Sequence, residues 1–249
     1  MKRSIEVVCA SGGMIFAVLF GIGFVGIARF VPPLDPSDTA EQTAAIFRSN
    51  TNAIRTGLLV CYLGCPFYLA FGAAINAQAR RIVDAPRSLI QLQGAAFSAS
   101  LILIIGPFML WWVAAFRPEQ ASPELTQTLN DMAWISFLVG WVPFVTWYVA
   151  VGLAILCDTS ATPVYPRWAG YVATFSGLGQ TSATFLFYFK TGPFAWNGIF
   201  AWWLPATYFF LFFIVMTVVT IKALNSQYRD VEPPTTLSNR LVPHRSAQP

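Results

Sequence analysis

Apolar residues fall in long blocks broken by short polar segments. The runs Val7 to Phe30, Gly57 to Ala79, Leu89 to Phe116, Met132 to Cys157, Ala169 to Phe189 and Gly198 to Ala223 each reach the ~20 residues that cross a ~30 Å hydrocarbon core as a helix. A bilayer leaves backbone polar groups no water to bond, so such runs predict helices. The expectation is an all-α fold, a polytopic membrane helix bundle with six transmembrane helices that form one domain over residues 1–223. Residues 224–249 hold few apolar positions and several prolines, and predict a disordered cytoplasmic tail. The first run follows Met1-Lys2-Arg3 as a signal peptide would, but it is longer than an h-region and other runs follow, so it reads as a retained helix.

The longest segment between runs, residues 31–56, opens with prolines that forbid continued helix. Asp38 followed by Glu41 resembles a helix start. Beyond it Ala40, Ala44, Phe47, Thr51, Ile54 and Leu58 recur at helical spacing, while Glu41, Arg48, Asn52 and Arg55 share another face. This pattern predicts an exterior amphipathic helix, either interfacial or capping the bundle.

Charge agrees with a lipid-solvated chain: 10% of residues are charged, against roughly 25% in soluble domains. Lys2, Arg3, Arg80, Arg81, Arg87, Arg167, Lys222, Arg229, Arg240 and Arg245 fall on one side of a six-crossing topology, and Arg29, Arg48, Arg55, Arg117 and Lys190 on the other. That bias predicts an inner-membrane protein with both termini cytoplasmic. The net charge of +4 forms no stripe, so nucleic acid is not an expected partner. The lone histidine, His244, lies in the tail, and Cys9, Cys61, Cys65 and Cys157 have no CxxC spacing, so neither metal nor other cofactor is expected.

Candidate chemistry is sparse. Cys9, Gly13, Ala17 and Gly21 form a small-residue face that lets backbones approach, either toward another helix of the chain or toward a second copy in a homodimer. Pro66, Pro107, Pro143 and Pro205 each deprive a carbonyl of its donor, those of Tyr62, Leu103, Val139 and Ala201, producing ordinary kinks or a central cavity. Most tryptophans suit an aromatic belt, with Trp134 and Trp196 as candidates to stack on a flat ligand. Gln180 sits mid-span and must face the bundle, bridging helices or touching a ligand.

Asp131 is an acid on the doorstep of a run. Thr128 and Asp131 fit a capping box, but Ser122-Pro123-Glu124 is a better helix start, with an N-cap, proline at the first position and an acid in the first turn. Asp131 then lies about 13 Å along the helix. An ionised carboxylate at an apolar bundle requires a partner or a raised pKa. Arg55 and Arg117, with Arg29 a third, are the expected partners; the alternatives are an exposed interfacial acid or a proton-transferring group.

At Asn52 to Leu59, Leu129 to Ile135 and Pro166 to Tyr171 the chain resembles small bacterial multi-pass membrane proteins of unknown function. The likeness implies a topology and transfers no site. Three functions fit the residues. One is a membrane protein that binds an apolar small molecule or serves as a subunit beside a membrane partner. The second is a membrane-embedded lyase, isomerase or cyclase with Asp131 as general acid. The third is a small proton-coupled transporter with Asp131 and Gln180 on its path.

Overall fold

The computed structural model describes residues 1–229 and is built from helices, with no strand among these residues. In chain order they are α1 (Lys2–Phe20), α2 (Ala40–Ser49), α3 (Thr51–Ala79), α4 (Arg87–Ser100), α5 (Ile102–Phe116), α6 (Pro123–Val139), α7 (Trp141–Cys157), α8 (Arg167–Gln180) and α9 (Leu204–Arg229). α1 runs on as a π stretch, Gly21–Ile27, α8 as a 3₁₀ stretch, Thr181–Tyr188, and a π turn at Ile199–Trp203 leads into α9. Five continuous stretches are long and apolar enough to cross a membrane: Lys2–Ile27, Thr51–Ala79, Arg87–Phe116, Pro123–Cys157 and Ile199–Arg229. α9 carries helix through Arg229, beyond the expected boundary at 223, and the rest of the expected tail lies outside the described residues.

The run Ala169 to Phe189 behaves differently. Its α-helix ends at Gln180 after 14 residues, and the chain tightens into 3₁₀ turns. The local cause is a row of hydroxyls that bond back to nearby carbonyls: Thr181 Oγ1 donates to Leu178 O at 2.7 Å, Ser182 Oγ to Gly179 O at 2.9 Å and Thr184 Oγ1 to Thr181 O at 2.6 Å. Bonds of this i−3 kind favour a tighter winding than the α-helix.

Hydrogen bonds define two ends of the bundle. At one, Arg3 donates to Asn225 Oδ1 at 3.0 Å, Gln78 Nε2 donates to Gln227 Oε1 at 3.0 Å, and Asp84 Oδ2 accepts from Thr159 N and Oγ1 at 3.1 and 2.6 Å. At the other, Trp196 Nε1 donates to Leu34 O at 2.6 Å, Arg48 Nε to Pro118 O at 3.1 Å and Gln127 Nε2 to Asp38 O at 2.9 Å. α9 thus returns the chain to the end where α1 starts.

α1 packs against α3 and α9, and α7 against α4 and α8. Glycine makes two of these approaches possible. A Cβ on Gly57 would stand 2.4 Å from Gly23 O, and one on Gly23 2.4 Å from Gly57 O; between α7 and α8, a Cβ on Gly152 would stand 2.7 Å from Gly170 O. Backbone atoms cannot step aside as a flexible side chain does, so these positions exclude larger residues. Of the small-residue face in α1, Gly13 meets Thr217 and Phe71 of the same chain, whereas Gly21 meets nothing within 4 Å.

The helix after the prolines is present, but its start differs from the expected one. Thr39 rather than Asp38 is the N-cap: Gln42 N donates to Thr39 Oγ1 at 3.3 Å and Thr39 N to Gln42 Oε1 at 2.7 Å, a reciprocal capping box. α2 buries Thr43, Ala44 and Phe47 and packs chiefly on α6, lying over the end of the bundle.

Candidate functional site

At the start of α6 the Ser122 hydroxyl accepts from Leu125 N at 3.3 Å and Pro123 occupies the first helical position, so Asp131 is well inside the helix and half-buried. The expected ion pair is not there. Among the described residues the ion pair within 4.0 Å is Arg48 with Glu119, at 3.9 Å. Arg55 turns instead to the end of α5, donating through Nε to Ala115 O at 3.0 Å and through Nη2 to Phe116 O at 2.7 Å. A helix C-terminus offers unpaired carbonyls and a partial negative charge, which holds a guanidinium without desolvating a second ion. Arg117 lies over the Phe116 ring at 5.4 Å, and Arg29, with φ of 56°, occupies the left-handed region after the π stretch. Exposed Asn52 lines a polar surface hollow with Arg29 and Arg48.

Trp134 and Trp196 are neighbours, with centroids 6.5 Å apart and planes 17° from parallel. Neither is among the residues that line the cavity beside Gln180. Trp134 is fully buried among Phe24, Phe30, Trp111 and Trp202, with centroids 4.9 to 6.0 Å away. The Trp111 indole N–H donates to Asn130 Oδ1 at 3.3 Å, a buried amide in the turn before Asp131 that tertiary contact alone reveals.

Gln180 is where a cavity forms. Its Nε2 donates to Pro205 O at 3.1 Å, joining the end of α8 to the start of α9. Around it stand Phe20 from α1, Ile104 from α5, Phe137 and Leu138 from α6, Trp141 and Phe144 from α7, and Trp202, Ala206, Phe209 and Phe210 from the final pass. The space is partly open and amounts to about 70 Å³.

Its position follows from backbone irregularity. Pro143 cannot donate to Val139 O, and α6 gives way to α7 at Gly140; Pro205 cannot donate to Ala201 O, and the chain there takes the wider π turn; α8 tightens at Gln180. Three neighbouring segments thus depart from α geometry beside one space. Pro66, by contrast, sits inside an α3 without a break. Trp141 and Trp202, which as tryptophans near span ends suit a belt, are walls of this cavity together with Phe209 and Phe210.

Asp131 is not among the lining residues. In the 31–39 segment, hydrogen bonds from Ser37 Oγ and N, at 2.6 and 2.9 Å, hold the Asp35 carboxyl below its usual range. Burial, aided by the charge of Asp35, pushes Asp38 up. Among the described residues no cluster of histidine, cysteine or acidic side chains has the makings of a metal site. Compared with known proteins, the chain matches no family model, no curated protein and no solved structure.

Proposed function

We propose that this is a multi-pass membrane protein that binds a small apolar molecule in the cavity beside Gln180. The observation that carries the reading is an aromatic-lined space where three segments lose α geometry together, since broken helices in a bilayer persist where they line a cavity. Size narrows the occupant. A space of about 70 Å³ is roughly half the ~150 Å³ that admits benzene, so it takes the end of an apolar chain whose remainder lies beyond its open side and excludes a fused-ring ligand.

For the topology, we take α8 with its 3₁₀ continuation as a sixth crossing. At about 1.5 Å per α residue and about 2.0 Å per 3₁₀ residue these stretches extend for roughly 37 Å, enough for a ~30 Å core. The contact of Arg3 with Asn225 and the excess of basic residues at that end support a cytoplasmic placement for it in an inner membrane. α2 then lies at the opposite interface. The lyase and transporter readings both need Asp131 at the working site, and its place outside the cavity lends them no support.

The test uses 1-bromohexane, whose bromine quenches indole fluorescence at short range, with purified protein in nanodiscs. Trp141 and Trp202 line the cavity, so quenching should saturate, and Ala206→Phe should abolish the saturable part while the fold is kept. Quenching that rises linearly and equally in both proteins would overturn the reading.

A further inference from the structure

Where α2 meets α3, Arg29, Arg48, Ser49, Asn50, Thr51 and Asn52 surround the polar surface hollow, whose volume of about 480 Å³ lies within the ~300–1,000 Å³ of small-molecule sites. It shares no residue with the cavity beside Gln180. Three of its polar side chains are spent on their own helices: Ser49 Oγ donates to Ala45 O at 2.9 Å, Asn50 Nδ2 to Ile46 O at 3.0 Å and Thr51 Oγ1 to Phe47 O at 2.7 Å. Arg48 commits only Nε, which donates to Pro118 O at 3.1 Å, and Glu119, 3.9 Å from that same Nε, is no part of the lining. The Arg29 guanidinium and the Asn52 amide have no hydrogen-bond or ion-pair partner among the described residues. The unspent donors thus belong to two cations and an amide, and among the described residues no acid lines the hollow.

We infer that this hollow binds a phosphate ester, carried by a lipid headgroup or by a soluble molecule. Two guanidinium groups in one hollow repel each other, and an anion held between them replaces that repulsion with two charge-assisted contacts. A carboxylate has one planar pair of oxygens and serves one fork. A phosphate presents its oxygens tetrahedrally, so each fork finds an edge and the Asn52 amide finds a further oxygen. With α2 at the interface, as proposed above, the hollow lies where lipid phosphates begin. The donor set alone defines the ligand class, and nothing in it depends on what occupies the apolar cavity.

The test titrates sn-glycerol 3-phosphate and phosphatidylglycerol, with acetate and oleate as their carboxylate counterparts, into the full chain in dodecyl maltoside, a detergent without phosphate. Calorimetry reads the soluble ligands and native mass spectrometry the lipids. One phosphate ester should bind per chain, about tenfold more tightly than its carboxylate counterpart, as expected for one further charged hydrogen-bonding group. Arg29 is exposed, so Arg29→Gln should fold as the wild type does, and it should weaken phosphate binding about tenfold. Asn52→Leu, a second exposed position, should weaken it about threefold. Arg117→Gln removes the same charge outside the hollow and should change binding by less than about twofold at physiological salt. Saturable binding of glycerol phosphate assigns the soluble source and binding of phosphatidylglycerol alone the headgroup, and either supports the inference. It is overturned if neither binds saturably, if a carboxylate binds as tightly as its phosphate counterpart, or if Arg117→Gln weakens binding as much as Arg29→Gln.

Discussion

The aromatic cluster around Trp134 and the cavity beside Gln180 share a wall: Phe20, Phe137 and Trp202 belong to both, yet one side is solid and the other hollow. Around Trp134 the rings come from α5 and α6, from the π stretch (Phe24) and the segment after it (Phe30), and from the π turn (Trp202), and interlock largely edge to face, as with Trp111 and Trp134 at 4.9 Å and 73°. On the other side α6, α8 and the approach to α9 each change winding within a few residues. Aromatic content alone therefore does not make a pocket. Nor does a single irregular segment, since Phe24 and Trp202 stand on π segments and still close on Trp134; room is left where the breaks of α6, α8 and the approach to α9 fall side by side.

Truncation should separate the two regions most strongly. Trp134→Ala should cost about 4 kcal/mol in mixed-micelle unfolding, the usual loss for a fully buried aromatic, whereas half-buried Phe210→Ala should cost about 1 kcal/mol because the space beside it is already empty. Equal losses would break the comparison. The charged end sharpens it at a lower scale. Arg55→Ala should cost about 2 kcal/mol, since two hydrogen bonds from a charged group to the α5 carbonyls are lost. Asp131→Asn should move stability by less than about 0.5 kcal/mol, as expected without an ion pair to break. A loss for Asp131→Asn matching that of Arg55→Ala would restore the salt bridge.

The smallest effect is expected at the opposite end, at Asp84. The hydrogen bonds from Thr159 hold its carboxyl below the usual range in the folded protein. A depressed folded pKa contributes stability above the unfolded value, near 3.9, that is lost as pH falls through the folded one. The protection of residues 80–86 and 158–164 relative to intrinsic hydrogen exchange at each pH should therefore fall below about pH 4. Asp84→Asn should remove that pH step, and a step of undiminished size in the variant would assign it to another group.

The five long apolar helices were legible because a bilayer imposes its thickness along one dimension of the chain. The Ser122 start of α6 was legible because capping is settled within a few residues. The capping box at Thr39 and Gln42 is equally local, but the sequence holds two pairs at the same spacing one residue apart, Asp38 with Glu41 and Thr39 with Gln42. The partner of Arg55 was not legible: a cation near a carboxylate in a topology diagram has other acceptors in space, and the end of α5 supplied them. The change of winding after Gln180 did carry a signal in Thr181, Ser182 and Thr184, obscured because apolar runs are counted as if every residue rose 1.5 Å. Trp141 was hidden by its type, since a tryptophan near a helix end looks the same in a belt as in a cavity wall.

The meeting of α1 with α9 sets a schedule for biosynthesis. Gly13 is covered by Thr217, and Phe16 lies 5.3 Å from Phe213, partners about 200 residues downstream. At about 5–20 residues per second, the ribosome needs roughly 10 to 40 s to deliver them after α1 has emerged. During that interval one flank of the nascent first helix faces lipid, and a product halted before residue 204 keeps it so. A stalled chain thus differs from a finished one by an uncovered surface of Gly13 and Phe16 on α1.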